Sequence, residues 1–129
     1  MAITVDWSED DSLLVFQCVE ELTAEDIEAI GRIGTEYANR TPIRTLIDLS
    51  DAAAFPRNLV NTALRSALFM TFVNHPNVEW FVFVRPGTNM RFMIEIVLRS
   101  ARVKMVESRE SALAFLRAQP FQSGDHPQP

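Results

Sequence analysis

Thr45-Leu46-Ile47-Asp48-Leu49-Ser50-Asp51 is an apolar run that ends abruptly in acidic and hydroxyl groups. A short apolar run bounded by polar residues reads as a buried strand. In open α/β sheets, strand ends that feed helices are where working groups are placed. Outward from this run, helical and extended patterns alternate. An amphipathic stretch precedes it, a helical composition follows Phe55-Pro56, and Glu79 to Arg85 is a second apolar run. Strands separated by helices mostly pair in parallel through right-handed crossovers, so the run predicts one strand of a mostly parallel sheet.

The first residues add a different unit. Ile3, Val5 and Trp7 alternate with Thr4 and Asp6, the period of a strand with one wet face. Ser8 to Asp11 is a polar turn, and Ser12 to Glu20 is a second strand with apolar residues on both faces, so the pair is an antiparallel hairpin. Leu22-Thr23-Ala24-Glu25-Asp26-Ile27 then carries a helix start: Thr23 caps, Asp26 reaches back from N3, and Leu22 staples onto Ile27. That helix is expected to run to about residue 39. Ile27, Ile30, Ile33 and Tyr37 lie along one side, while Gly31 and Gly34 weaken the helix but permit a close approach to what it covers.

Ile43 to Leu49 is the decisive strand, Asn58 to Asn74 one helix, and Glu79 to Arg85 a strand buried on both faces. After the break at Pro86-Gly87, the pattern predicts a helix over Asn89 to Ala101, a short strand at Val103 to Val106, and a last helix capped by Ser108. The order is β-β-α-β-α-β-α-β-α: an α/β fold with a mixed sheet of about five strands covered by four helices. Residues 1–118 are expected to form one domain, and 119–129, polar and Pro-rich, a loose tail.

Composition narrows the function classes. A chain of 129 residues with 47% hydrophobic and 22% charged residues is ordinary for one globular core and argues against disorder. No apolar run approaches the ~20 residues that span a bilayer. A net charge of -5 with scattered arginines argues against nucleic-acid binding, which relies on clustered cations. The single cysteine, Cys18, sits among apolar residues, so no internal disulfide is possible and a buried role in a reducing compartment is expected. The N-terminus lacks a signal-peptide pattern, so a cytoplasmic location is expected.

With this order in hand, the chain resembles the STAS domain, the fold shared by anti-sigma factor antagonists and the cytoplasmic tails of sulfate transporters, and more closely its SpoIIAA-like branch. Leu22-Thr23-Ala24-Glu25-Asp26 resembles the family's helix start after the second strand. Arg44-Thr45-Leu46-Ile47-Asp48-Leu49-Ser50 resembles its central strand, and Val103 to Leu116 its closing strand and Ala-Leu-containing helix. The resemblance implies a bacterial regulatory module whose partner is another protein, a regulatory kinase or an anti-sigma factor. Classical members continue from the central strand to an Asp-Ser-Ser/Thr-Gly segment whose hydroxyl residue is phosphorylated. The corresponding stretch here is Phe55-Pro56-Arg57-Asn58-Leu59, without Ser or Thr. A phosphorylation switch at that position is therefore not expected, and Ser50 is the nearest hydroxyl.

No catalytic constellation is present: there is no nucleophile with a paired base, no metal-ligand cluster and no phosphate loop. Asp48 and Asp51 lack the further acidic residues and placed lysine of a magnesium or phosphoryl site, Lys104 being the only lysine, so Asp48 is expected to hydrogen-bond loop backbone. His75 and His126 share no ligand spacing. Neither a cofactor nor a metal is expected. Ser50, Asp51, Arg57 and Asn58, at a strand end and helix start, are the expected partner-binding residues of a non-enzymatic module.

The segment from Met90 to Arg99 carries more apolar surface than one covered face needs, with Arg91, Glu95 and Arg99 spaced four apart as an ion-paired stripe. Phe69, Met70, Phe72, Met90, Met93 and Val97 are therefore expected to form an apolar ligand site or a homodimer surface. The alternative function that follows is a carrier of a lipid or other apolar small molecule between the second and third helices.

Overall fold

The computed structural model describes residues 2–120. A hairpin of β1 (Ile3–Ser8) and β2 (Leu13–Glu21) leads to α1 (Ala24–Ala38). Then follow β3 (Ile43–Ala54), α2 (Leu59–Arg65), α3 (Ala67–Val73), β4 (Val78–Val84), α4 (Thr88–Val97), β5 (Val103–Val106) and α5 (Arg109–Arg117). The five strands form one sheet in chain order, β1-β2-β3-β4-β5, antiparallel at the first pair and parallel at the other three. The α/β class, the five-stranded mixed sheet and the leading hairpin agree with the sequence pattern. The tail expected from residue 119 lies, beyond Pro120, outside the described residues.

Strand alternation divides the side chains between two cores. Leu14, Phe16, Cys18, Ile43, Ile47, Phe81 and Phe83 pack under α1 to α4. Leu13, Leu46, Val82 and Val84 turn the other way, where Ala112 and Leu116 of α5 cover them. Phe72 of α3 fills the centre of the first core, with its ring edge-on to Phe16 (6.3 Å) and Phe81 (5.0 Å). On the second face Trp80 meets Phe115 at 4.9 Å, and Lys104 lies over the Phe115 ring. Arg44 ties the C-terminus of α5 to the sheet by donating to the Leu116 and Gln119 carbonyls and to Asp11 O. A cation there also complements the helix dipole.

The start of α1 follows the sequence closely. Thr23 Oγ1 accepts from Asp26 N (3.2 Å), and Asp26 Oδ2 accepts from Thr23 N (2.9 Å), a reciprocal capping box. Gly31 and Gly34 seat this helix on α3: an added Cβ would stand 2.4 Å from Phe69 N and 2.4 Å from Phe72 Cε1, respectively.

Three expectations need correction. The single helix predicted over 58–74 is two, because Ser66 leaves the helical region (φ -79, ψ 107) and its Oγ accepts from Phe69 N at 3.1 Å. A serine side chain that satisfies a backbone donor competes with continued helix, so one element becomes two and four helices become five. The helix predicted to end at residue 101 ends at Val97. Arg99 thus lies beyond its C-cap, Leu98, and no ion pair joins Arg91, Glu95 and Arg99 among the described residues. Finally, β3 extends to Ala54 rather than Leu49, because β2 continues to pair with it through bulges as far as Glu21 opposite Ala54.

Candidate functional site

The extension of β3 opens the molecule at one corner. On one side β3 stays paired with β2 to Ala54, while on the other its pairing with β4 ends at Asp48 opposite Val84. There β4 breaks away: Arg85 takes φ 50, Pro86 follows, and Gly87 takes φ 82, a left-handed conformation that glycine adopts without steric cost. Between the diverging chains lies an open cleft of about 470 Å³ lined by Leu49, Ser50, Ala52, Phe55, Arg85, Gly87, Thr88, Arg91 and Glu107 among others. Two arginines oppose one carboxylate in it. Gly87 is the N-cap of α4 and offers no side-chain acceptor, so the first-turn N–H groups at the cleft margin are uncapped by any side chain.

Beside the cleft runs a chain of polar contacts on the α5 face. Asp48, almost wholly buried, accepts from Ser50 N (2.9 Å) and Ser50 Oγ with one oxygen, and from Arg109 Nε (2.6 Å) with the other. Arg109 also donates to Gln17 Oε1, and Gln17 Nε2 donates to Asp51 Oδ2 at 3.2 Å. Burial alone would raise the pKa of Asp48. The hydrogen bonds from Ser50 and the Arg109 charge outweigh it, holding the carboxyl below its ordinary value. Asp48 therefore ties α5 to the end of β3, in addition to bonding the following backbone as its sequence position suggests.

The four expected partner-binding residues take different local places. Ser50 is exposed and lines the cleft. Asp51 is turned to Gln17, and Arg57 and Asn58 are exposed ahead of α2, where Asn58 is the N-cap position without a side-chain cap bond. The sequence assigned neither Arg85 nor Arg109 to the site and placed Arg91 in an ion-paired helix stripe instead. The signal for the first was the Arg-Pro-Gly break after a doubly buried strand, which marks a second strand end beside that of β3. Arg109 carried none, since 61 residues separate it from Asp48.

The expected apolar surface is mostly core. Phe69, Phe72, Met90 and Val97 are buried, because α1 closes over α3 and α4 packs on the sheet; Met70 and Met93 are half-buried. Phe69, Met90, Met93 and Val97 line an apolar cavity of about 60 Å³ that also touches Cys18, Leu59 and Ala63, whereas Met70 and Phe72 do not line it. Benzene occupies an apolar cavity of about 150 Å³, so an acyl chain would enter only if the helices parted. The exposed large apolar side chains of this layer are instead Leu64, Leu68, Phe92 and Ile96. Cys18 is fully buried, and burial, reinforced by the charges of Asp26 and Asp48, pushes its thiol up to about 12. Among the described residues no group of three His, Cys, Asp or Glu side chains could hold a metal ion. No helix among them is long and apolar enough to cross a membrane.

No family profile and no curated protein matches the chain in sequence. Solved structures do match it in fold. An uncharacterized protein of the DUF3478 family with a SpoIIAA-like fold, from Shewanella loihica PV-4, aligns with TM-score 0.61 and 20% identity over 89% of this chain and 92% of that one. The anti-sigma factor antagonist SpoIIAA in its unphosphorylated form aligns with TM-score 0.62 and 14% identity over 92% of this chain and 100% of that one. The Bacillus cell fate determinant SpoIIAA in its phosphorylated form aligns with TM-score 0.59 and 14% identity over the same shares. The chain thus has the SpoIIAA-like fold that its motif order resembles, and at these identities the likeness is one of fold.

Proposed function

We propose that this protein is a non-enzymatic regulatory module that docks another protein at the corner where β3 outruns β4. The observation that carries this is the open cleft itself, in which an unpaired strand flank, Arg85, Arg91 and the uncapped start of α4 meet around Ser50. Backbone groups of β3 past Asp48 lack a strand partner on the β4 side, so an extended segment of a partner can add there. An acidic side chain of that segment would be held by the arginines and favoured by the helix dipole, with Glu107 discriminating against a second carboxylate. The exposed Arg57 and Asn58, just past the cleft residue Phe55, extend the surface toward α2.

The fold likeness to an anti-sigma factor antagonist supports a regulatory kinase or anti-sigma factor as the class of partner. Because Phe55-Pro56-Arg57-Asn58-Leu59 has no hydroxyl residue, phosphorylation at that helix start is not the switch. The test is affinity capture from the native host with wild-type protein, Arg85→Glu, and the double variant Arg57→Ala/Asn58→Ala. A partner recovered by wild-type and reduced by Arg85→Glu supports docking at the cleft. Equal recovery by all three proteins would move the site elsewhere. A lipid retained through native mass spectrometry would favour the carrier role instead.

A further inference from the structure

We propose that α4 forms the centre of a two-fold symmetric homodimer, pairing antiparallel with α4 of a second copy. Phe92 and Ile96, 67% and 53% exposed, are the most exposed large apolar side chains among the described residues, and both lie on this one helix. They stand one turn apart on the face opposite Met90, Ile94 and Val97, which are buried against the sheet layer. At 100° per residue, Phe92 lies near the middle of the free face. Arg91 and Glu95 form one flank, and Ile96 with Asn89 the other.

The charges select the occupant and its orientation. Arg91 and Glu95 are exposed, and among the described residues no ion pair joins them. When two copies of a helix pair antiparallel about a two-fold axis, each flank meets its own counterpart; when they pair parallel, opposite flanks meet. Antiparallel pairing therefore sets Arg91 against Glu95 of the second copy and Glu95 against its Arg91, two opposite-charge contacts from one symmetric arrangement. Parallel pairing would set both charges against the Asn89 and Ile96 flank. The registers agree as well: Arg91 with Glu95 centres the axis level with residue 93, and Phe92 with Ile96 centres it level with residue 94, about 1.5 Å away along the helix. A single axis satisfies the charged and the apolar contacts together.

Size says what else must take part. A stable interface buries about 800 Å² on each partner, and a ten-residue helix only about 15 Å long cannot supply this alone. Leu64 of α2, which packs beside α4, and Leu68 of α3, which packs beside α2, are the other exposed large apolar side chains of this helical layer and the candidates for the remaining area. The dimer shares Arg91 with the cleft margin, but the proposal does not depend on the identity of the cleft's partner, and self-association of the pure chain is read without it.

Sedimentation velocity of the full chain over a concentration series tests it. The expected result is a mass rising from 14.6 kDa toward twice that value. Phe92→Glu should weaken self-association at least about tenfold, as expected for the anchor of an interface. Glu95→Arg, which places like charges together, should weaken it similarly, and the swapped pair Arg91→Glu/Glu95→Arg should restore it. The swap leaves every apolar contact in place, and circular dichroism checks that each variant is folded. A wild-type chain that stays at 14.6 kDa throughout, or a dimer indifferent to Phe92→Glu, overturns the proposal. Failure of the swap to restore what Glu95→Arg removes overturns the antiparallel geometry.

Discussion

Replacing Gly31 by alanine should destabilise this protein, against the usual direction for such a change in a helix. Intrinsic propensity alone would favour alanine by about 1 kcal/mol. The structure opposes it: the new Cβ would stand 2.4 Å from Phe69 N, 2.5 Å from Leu68 C and 2.5 Å from Phe69 Cα. Comfortable carbon contacts need about 3.5–4.0 Å, so α1 and α3 must separate by roughly 1 Å. The obstructing atoms are backbone, and no side-chain rotation relieves them. Separation loosens the layer in which Ile27, Ile30, Phe69 and Phe72 pack. Overpacking of a core costs about 1–3 kcal/mol, and here the backbone clash belongs at the upper end. With the propensity gain subtracted, Gly31→Ala should lose about 2 kcal/mol. Urea unfolding reads this as a lower midpoint at unchanged slope. Gly34→Ala provides the internal comparison, since its Cβ would meet the Phe72 ring, a side chain. Phe72→Leu in the same chain should recover part of the Gly34→Ala loss and none of the Gly31→Ala loss. A Gly31→Ala protein as stable as wild-type, or more so, would refute the close approach of α1 to α3.

Two further expectations concern the corner and the core beneath it. Arg109→Ala should cost about 1 kcal/mol at neutral pH, because Arg109 is half exposed while the carboxylate it leaves is buried. The folded pKa of Asp48 is depressed, so its contribution is full above the unfolded carboxyl value near 3.9 and is lost as pH falls through the lower folded value. The stability gap between wild-type and Arg109→Ala, taken from urea midpoints at several pH values, should therefore narrow in acid; a gap that widens would contradict the ion pair. Cys18, fully buried with its thiol pushed up to about 12, should resist a thiol reagent in the native state and react once the chain is unfolded in urea. Rapid labelling of native protein would show that the cavity above it opens.

Local chemistry was legible in the sequence where neighbours in the chain are neighbours in space. The hairpin, the capping box of Thr23 and Asp26 and the alternation of strands with helices all rest on contacts a few residues apart or on periodicity, whereas the need for glycine at 31 and 34 comes from α3, far along the chain. Together with motif order the local features determined the α/β class and the resemblance to the SpoIIAA-like fold. The candidate site was only half legible. Asp48 and Ser50 stood out at the end of an apolar strand, but the partners that give them meaning, Arg109 and Gln17, join through pairings made only by the folded sheet. The extent of β3 was likewise decided by β2, whose bulged pairing carries the strand past Leu49 and creates the cleft. Apolar excess in the later helices was visible from composition, yet its assignment to core or surface was not. Burial depends on which face α1 closes over, and tertiary packing alone took Phe69, Phe72 and Val97 inside and left Phe92 and Ile96 in water.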